Sequence, residues 1–121
     1  VPNDPRAPAA DWIGMVHSVA TAIGSWRALH VGAGRGDLLL GGALAARRRG
    51  LGFQLHATEA NPNRFAALLQ HAEANGIDPA GQDFRQAEIG ADPDQPPPRG
   101  GTVQDLLEGG PRWDWVRIAL P

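Results

Sequence analysis

The run Arg27-Ala28-Leu29-His30-Val31 empties directly into Gly32-Ala33-Gly34-Arg35-Gly36-Asp37, and an apolar stretch from Leu38 to Arg49 follows at once. Glycines at alternate positions permit backbone angles and close approaches that a Cβ forbids. A strand that ends in such a turn and leads into a helix brings the helix's first N–H groups to the end of the sheet. The chain must then return along the helix, so the next strand lies parallel to the first. Phe53-Gln54-Leu55-His56-Ala57-Thr58 supplies that strand, and the glycine turn thereby restricts the chain to a sheet of βα units.

The rest of the chain continues the alternation. Residues 1–10 carry three prolines and read as an irregular lead-in. Asp11 as N-cap and Gly24 as stop bound a helix over 11–24, with Trp12, Ile13, Val16, Val19, Ala20 and Ile23 as its apolar stripe. Arg47-Arg48-Arg49 suits a helix C-terminus, where the dipole favours cations. Asn61 and Pro62 are an N-cap and first position for a helix whose apolar face holds Phe65, Leu68, Leu69 and Ala72 before Asn75-Gly76. A strand over 83–88 follows, then a loop over 90–101 with four prolines and three glycines. Thr102 and Asp105 have capping-box spacing for a short helix ending at Glu108, and a strand over 113–120 closes the chain. Strands 27–31, 53–58, 83–88 and 113–120 alternating with helices predict an α/β fold with right-handed crossovers. At 121 residues, one domain over 11–121 is expected.

Composition removes several function classes. With 42% hydrophobic and 20% charged residues, the chain lies far from the disordered range. Acids exceed bases 13 to 11, so no broad basic footprint for nucleic acid is expected. All 11 basic residues are arginine, which reads as the codon bias of a GC-rich genome. The absence of cysteine excludes disulfides, thiolate nucleophiles and cysteine metal sites. Apolar stretches fall far short of the roughly 18 residues of a membrane span, so no membrane partner is expected. The N-terminus lacks a signal-peptide pattern, and the expected location is the cytoplasm.

The chemistry gathers at two places. The glycine turn at 32, 34 and 36 departs from the dinucleotide pattern Gly-x-Gly-x-x-Gly and has Asp37 where a pyrophosphate would be repelled. It therefore suits a ligand without phosphates; the bare alternative is a tight strand-to-helix turn with no ligand. Glu59 ends the second strand, where a carboxylate can accept both hydroxyls of a ribose. Alone it reads as a solvated acid near a helix start, but beside the glycine turn the ribose reading becomes the better one.

Leu29-His30-Val31-Gly32-Ala33-Gly34-Arg35-Gly36 followed by Thr58-Glu59-Ala60-Asn61-Pro62 resembles class I S-adenosylmethionine-dependent methyltransferases, and FkbM-type enzymes most closely. In that family the second strand ends in Glu-Pro-Asn-Pro, and Thr102-Val103-Gln104-Asp105-Leu106-Leu107 is similar to its Thr-Leu-Asp-Asp-Leu-Leu. The likeness covers residues 27–90 and 102–121. It implies a Rossmann-like sheet of order 3-2-1-4 flanked by helices, with S-adenosylmethionine as cofactor and oxygen as the methylated atom. Gly32, Ala33, Gly34 and Gly36, with Asp37 beside them, would pass the methionine part of the cofactor. Glu59 would hold the ribose, Ala60 with Asn61 would border the adenine, and Glu88 would read its amino group. Three departures stand out. His30 replaces an acid before the Val-Gly of the first strand. Ala119 and Pro121 stand where the family's Lys-Ile-Asp-Val-Glu-Gly has carboxylates near the transferred methyl, which leaves no catalytic residue assigned. The family's fold also has about three C-terminal strands missing here, so the expectation is either a truncated piece or a sheet edge covered by a partner or second copy.

Other side chains have plainer readings. His30 and His56 fall on strands expected to be neighbours, close together but one ligand short of a zinc site; no metal is expected. His17 and His71 read as surface residues, and the three arginines at 47–49 as a solvated helix end. Trp113 and Trp115 alternate on one strand, so both are expected on one face of the core. The sequence thus points to a methyltransferase acting on an unidentified small molecule. The rival is a degenerate domain of the same fold that binds no cofactor and serves as a structural or interaction module. A nicotinamide-binding Rossmann domain comes third, disfavoured by Asp37.

Overall fold

The computed structural model describes residues 6–89, 106–107 and 112–119. Helix α1 (Arg6–Thr21) leads into strand β1 (Ser25–Val31), the glycine turn and helix α2 (Asp37–Arg48). Strand β2 (Gly52–Thr58), helix α3 (Pro62–Ala74), a 3-10 turn (Pro79–Gly81), β3 (Asp83–Arg85) and β4 (Trp115–Ile118) follow. The four strands form one parallel sheet of order β3-β2-β1-β4, as the resemblance implies. β1 pairs with β2 from Ser25↔Gly52 to Val31↔Thr58, so the glycine turn and Glu59 leave the sheet side by side.

Local chemistry explains most boundaries. Asn61 caps α3, its side chain accepting from the N–H groups of Asn63 and Arg64, with Pro62 behind it. α2 starts without a side-chain cap, straight from Gly36 in the left-handed region at φ 79°. Two of the three arginines do more than meet solvent. Arg47 donates to the carbonyls of Asn75 and Gly76 beyond α3, and Arg49 to those of Val19 and Ala22 at the end of α1. Each binds helix-end carbonyls that have no partner within their own helix.

The three helices share one face of the sheet. Met15 and Val19 of α1, Leu39, Leu40 and Ala43 of α2, and Leu68 and Ala72 of α3 pack with Trp26, Ala28, Leu55 and Ala57 in one buried cluster. Each fully buried leucine there contributes about 1.5–3 kcal/mol. The opposite face is thinner, with Leu29, Val31 and Ile89 buried beneath Ala87, Leu106 and Trp113.

Several expectations need correction. The lead-in is not irregular throughout, because helix begins at Arg6, and Asp11 lies inside α1 rather than capping it. The buried face of α1 is Met15, Ser18 and Val19, continued by Ala22 just after it, while Ile13 is 70% and Ile23 80% exposed. The Ser18 hydroxyl accepts from the Trp26 indole N–H and donates to the Met15 carbonyl, so a polar residue marks the inward face. The third strand stops at Arg85, because its partner ladder to β2 runs only from His56↔Asp83 to Thr58↔Arg85 before β2 turns toward α3. β4 is likewise shorter than expected, matching only Ala28 to Val31 of β1. Trp113 precedes β4, and the bend at Asp114 puts the two tryptophans on opposite faces: Trp115 joins the helix-side cluster and Trp113 the other. His30 and His56 are also separated, since His30 pairs with Ala57 and His56 with Leu29, one residue out of step. Of the helix expected over 102–108, only Leu106 and Leu107 are among the described residues, and the loop over 90–101 lies outside them.

Candidate functional site

The turn after β1 is drawn tight by its own backbone. The N–H groups of Gly32 and Ala33 both donate to the Thr58 carbonyl at 2.9 and 3.0 Å, and the Gly36 N–H donates to the Ala33 carbonyl at 3.0 Å. Gly32, Gly34 and Gly36 all have positive φ, at 73°, 60° and 79°. The three glycines nevertheless differ in role. A Cβ on Gly32 would strike the Ala119 carbonyl where the chain leaves β4, and one on Gly36 would strike Leu68 of α3. At Gly34 a Cβ would meet nothing within 4 Å, so open space lies over the apex of the turn.

Glu59 braces that apex. Its side chain is buried, the residue being 6% exposed. Oε1 accepts from the Gly34 N–H at 2.8 Å and Oε2 from the Asn61 N–H at 2.9 Å. One carboxylate thus ties the glycine turn to the start of α3. An ionised carboxylate has about four acceptor positions, so each oxygen keeps one for a further donor. With Gly32, Ala33, Gly34 and Gly36 already donating inside the protein, the turn holds few free N–H groups for a phosphate.

Two clefts meet at Gly32. The first, about 420 Å³, is lined by Val31, Gly32, Thr58, Glu59, Ala60, Asn61, Arg64, Ala87, Glu88, Ile89 and Ala119. The second, about 280 Å³, runs along the other side of the turn past Asp11, Trp12, His30, Gly32, Ala33, Arg35, Asp37, Leu38 and Arg117. Of the expected site residues, Gly32, Glu59, Ala60, Asn61 and Glu88 border the first cleft, and Gly32, Ala33 and Asp37 the second. Gly34 touches the site through Glu59, whereas Gly36 lines neither cleft and is needed for packing against Leu68.

The second cleft contains a charge cluster that local sequence patterns do not reveal. Arg117 of β4 donates from Nη2 to Asp11 Oδ2 at 2.9 Å, and its Nη1 lies 3.4 Å from His30 Nε2. A guanidinium can only donate, so Nε2 accepts and the ring proton sits on Nδ1, which is buried without a partner. Burial, reinforced by the Arg117 charge, lowers the His30 pKa to about 4, against the opposing pull of Asp11 and Glu59. The 106-residue separation of Asp11 and Arg117 explains why no motif announced the pair. His71 is half-buried rather than simply on the surface: its Nδ1 lies 3.0 Å from the Arg35 carbonyl and 3.5 Å from Asp37 Oδ1. Among the described residues no group of three His, Cys, Asp or Glu side chains could hold a metal ion. No described helix is long and apolar enough to cross a membrane.

No family model matches the chain, and no curated protein matches it. Solved structures do match its fold. The human methyltransferase 10 domain containing protein aligns over 93% of this chain and 48% of its own, with a TM-score of 0.55 and 17% identity. The N-terminal domain of human METTL16, solved in complex with SAH, aligns over all of this chain and 43% of its own, at TM-score 0.50 and 18% identity. The methyltransferase subunit of a type I restriction-modification system from Streptococcus thermophilus aligns over 67% of this chain and 17% of its own, at TM-score 0.53 and 15% identity. The parallel sheet of order 3-2-1-4 is therefore the Rossmann-like fold of class I methyltransferases. The chain spans less than half the length of each of these three structures.

Proposed function

We propose that the chain binds S-adenosylmethionine across the two clefts and belongs to a methyltransferase, with O-methyl transfer of FkbM type as the finer reading. One observation carries it: the buried Glu59 carboxylate stands at the carboxyl end of β2, bonded to the Gly34 N–H, on the wall of the cleft that passes Gly32. The donor set fits this cofactor. Two adjacent ribose hydroxyls suit an acceptor-only carboxylate with positions to spare. Ala60, Ala87 and Ile89 give the apolar walls an adenine ring needs, and Glu88 at their edge can accept from its amino group. Across Gly32, Arg35 and Arg117 with Asp11 and Asp37 offer both signs of charge to an amino-acid end.

When bound, the cofactor supplies an electrophilic methyl group for in-line attack by the acceptor. The chain's own work is positional: Glu59 fixes the sugar, the turn leaves room over Gly34, and the spent turn amides select against phosphates. Ala119 borders the first cleft where the FkbM pattern has a carboxylate, and that supports the non-catalytic module as the second reading.

Glu59→Ala tests the assignment. Calorimetric titration with S-adenosylhomocysteine should show binding weakened by about 1.5–3 kcal/mol, the range for a hydrogen bond to a charged group. Glu73→Ala, on the exposed side of α3, should bind like wild type. Because Glu59 also braces the turn, the melting temperature of each variant is measured without ligand. A stability loss with unchanged affinity would leave Glu59 a purely structural residue and end the ribose assignment.

A further inference from the structure

We propose that the sheet face opposite the helices carries a second site, for a compact oxyanion such as a carboxylate or phosphate group, centred on Arg27. A cavity of about 120 Å³ lies there, lined by Arg27 and Leu29 of β1, His56, Ala57 and Thr58 of β2, Asp83 and Arg85 of β3, and Leu106 and Trp113. On the same measure a single water needs about 10–15 Å³, so the cavity admits a group of several heavy atoms.

Among the described residues its charges are unbalanced in favour of an anion. Asp83 already serves neighbouring cations: Oδ1 accepts from Arg85 Nε at 2.7 Å, while Oδ2 accepts from Arg85 Nη2 and lies 3.0 Å from His56 Nδ1. Asp114 accepts from the Arg27 backbone N–H and pairs with Arg112 at 3.2 Å. The Arg27 guanidinium has no carboxylate within ion-pair distance among the described residues. It lies 4.1 Å above the Trp113 ring and gives one N–H to the Arg112 carbonyl. Its Nε–H is buried and has no partner. A buried donor on a cation with no carboxylate partner among the described residues, at the wall of a cavity, calls for an anionic acceptor, because charge-assisted bonds are the strong ones and orphaned donors are costly. Trp113 holds the guanidinium plane from one side and His56 meets the same indole edge-on at 4.8 Å, so the donor is held before any ligand arrives.

This site is separate from the cofactor clefts and does not depend on them, although Thr58 borders both it and the larger one. The test is an NMR titration of ¹⁵N-labelled protein with inorganic phosphate, and separately with acetate, at ionic strength held constant with chloride. The Arg27 Nε–H and Trp113 indole N–H signals should shift saturably with at least one of the two anions. Phosphate alone would mark a tetrahedral site and acetate alone a planar one. Arg27→Gln should weaken binding by about tenfold or more, the loss expected for one charge-assisted hydrogen bond. Arg27→Lys, which keeps the charge but loses the Nε–H, should fall between. Glu59→Ala should bind the anion like wild type, which separates this site from the cofactor reading. Shifts that do not saturate with either anion, or that chloride reproduces, would overturn the proposal. So would wild-type affinity in either folded Arg27 variant. If both variants fail to fold, the wild-type titration decides alone.

Discussion

His30 carries the most distinctive chemistry of any single residue outside Glu59. It is 3% exposed, packs edge-on against Trp115 at 5.4 Å, and is held neutral with its folded pKa near 4 instead of 6.5. Between these two values the unfolded chain binds a proton that the native protein does not, so stability rises with pH across this window. The contribution is complete above about pH 6.5 and is lost as pH falls toward 4, for a total of about 3 kcal/mol. Asp83 adds to acid sensitivity at lower pH. Burial pushes its pKa up, but the hydrogen bonds from Arg85 and His56 outweigh that and hold it below the usual value. Chemical denaturation of wild type between pH 4 and 7 should show this slope, and His30→Asn should flatten it above pH 4. An unchanged slope in the variant would mean that His30 is protonated in the native state. The sequence shows His30 where the FkbM-type pattern it resembles has an acid, but not its desolvation, which depends on Arg117 and Trp115 arriving from a strand more than 80 residues away.

At the scale of elements, the βα units were readable because each carries its own punctuation: Gly36 before α2, Asn61 and Pro62 before α3, Asn75-Gly76 after it. The orientation of α1 was not readable, because its inward face is set by what it meets. Gly41 and Gly42 of α2 leave room there for Trp12 and Trp26, and the Trp26 indole donates to Ser18 at 2.9 Å. Hydrophobicity alone favoured Ile13 and Ile23, which the structure leaves exposed. Two glycines separate packing from propensity. Gly42→Ala places a Cβ against the fully buried Trp26 ring and should destabilise the protein by about 1–3 kcal/mol despite alanine's better helix propensity. Gly14→Ala in α1, with nothing within 4 Å of the new Cβ, should stabilise it by about 0.5–1 kcal/mol. Thermal or urea unfolding of both variants checks the pair, and equal shifts of the same sign would show that α2 does not pack on Trp26 of β1 as described. Alternation does not carry over to the tryptophans, since it holds only inside a strand and Trp113 lies just before β4.

At the scale of the whole molecule, the sheet brings three separate sequence segments to one end: the turn after β1, Glu59 after β2 and Ala119 after β4. The strand order and the Glu59–glycine-turn neighbourhood followed from βα alternation and the family resemblance. The second cleft did not, because Asp11 and Arg117 come from opposite ends of the chain. On the proposed function, this end of the sheet takes an adenosyl ligand without phosphates. That reading is tested most directly by calorimetric titration of the wild-type chain with S-adenosylhomocysteine and, in parallel, with NAD. With its turn amides spent and Asp37 beside them, the chain should bind S-adenosylhomocysteine saturably at one site and give no binding heat with NAD. Binding of NAD would show that the turn accepts a pyrophosphate, and the absence of binding to S-adenosylhomocysteine would contradict the cofactor assignment and leave the non-catalytic module in its place.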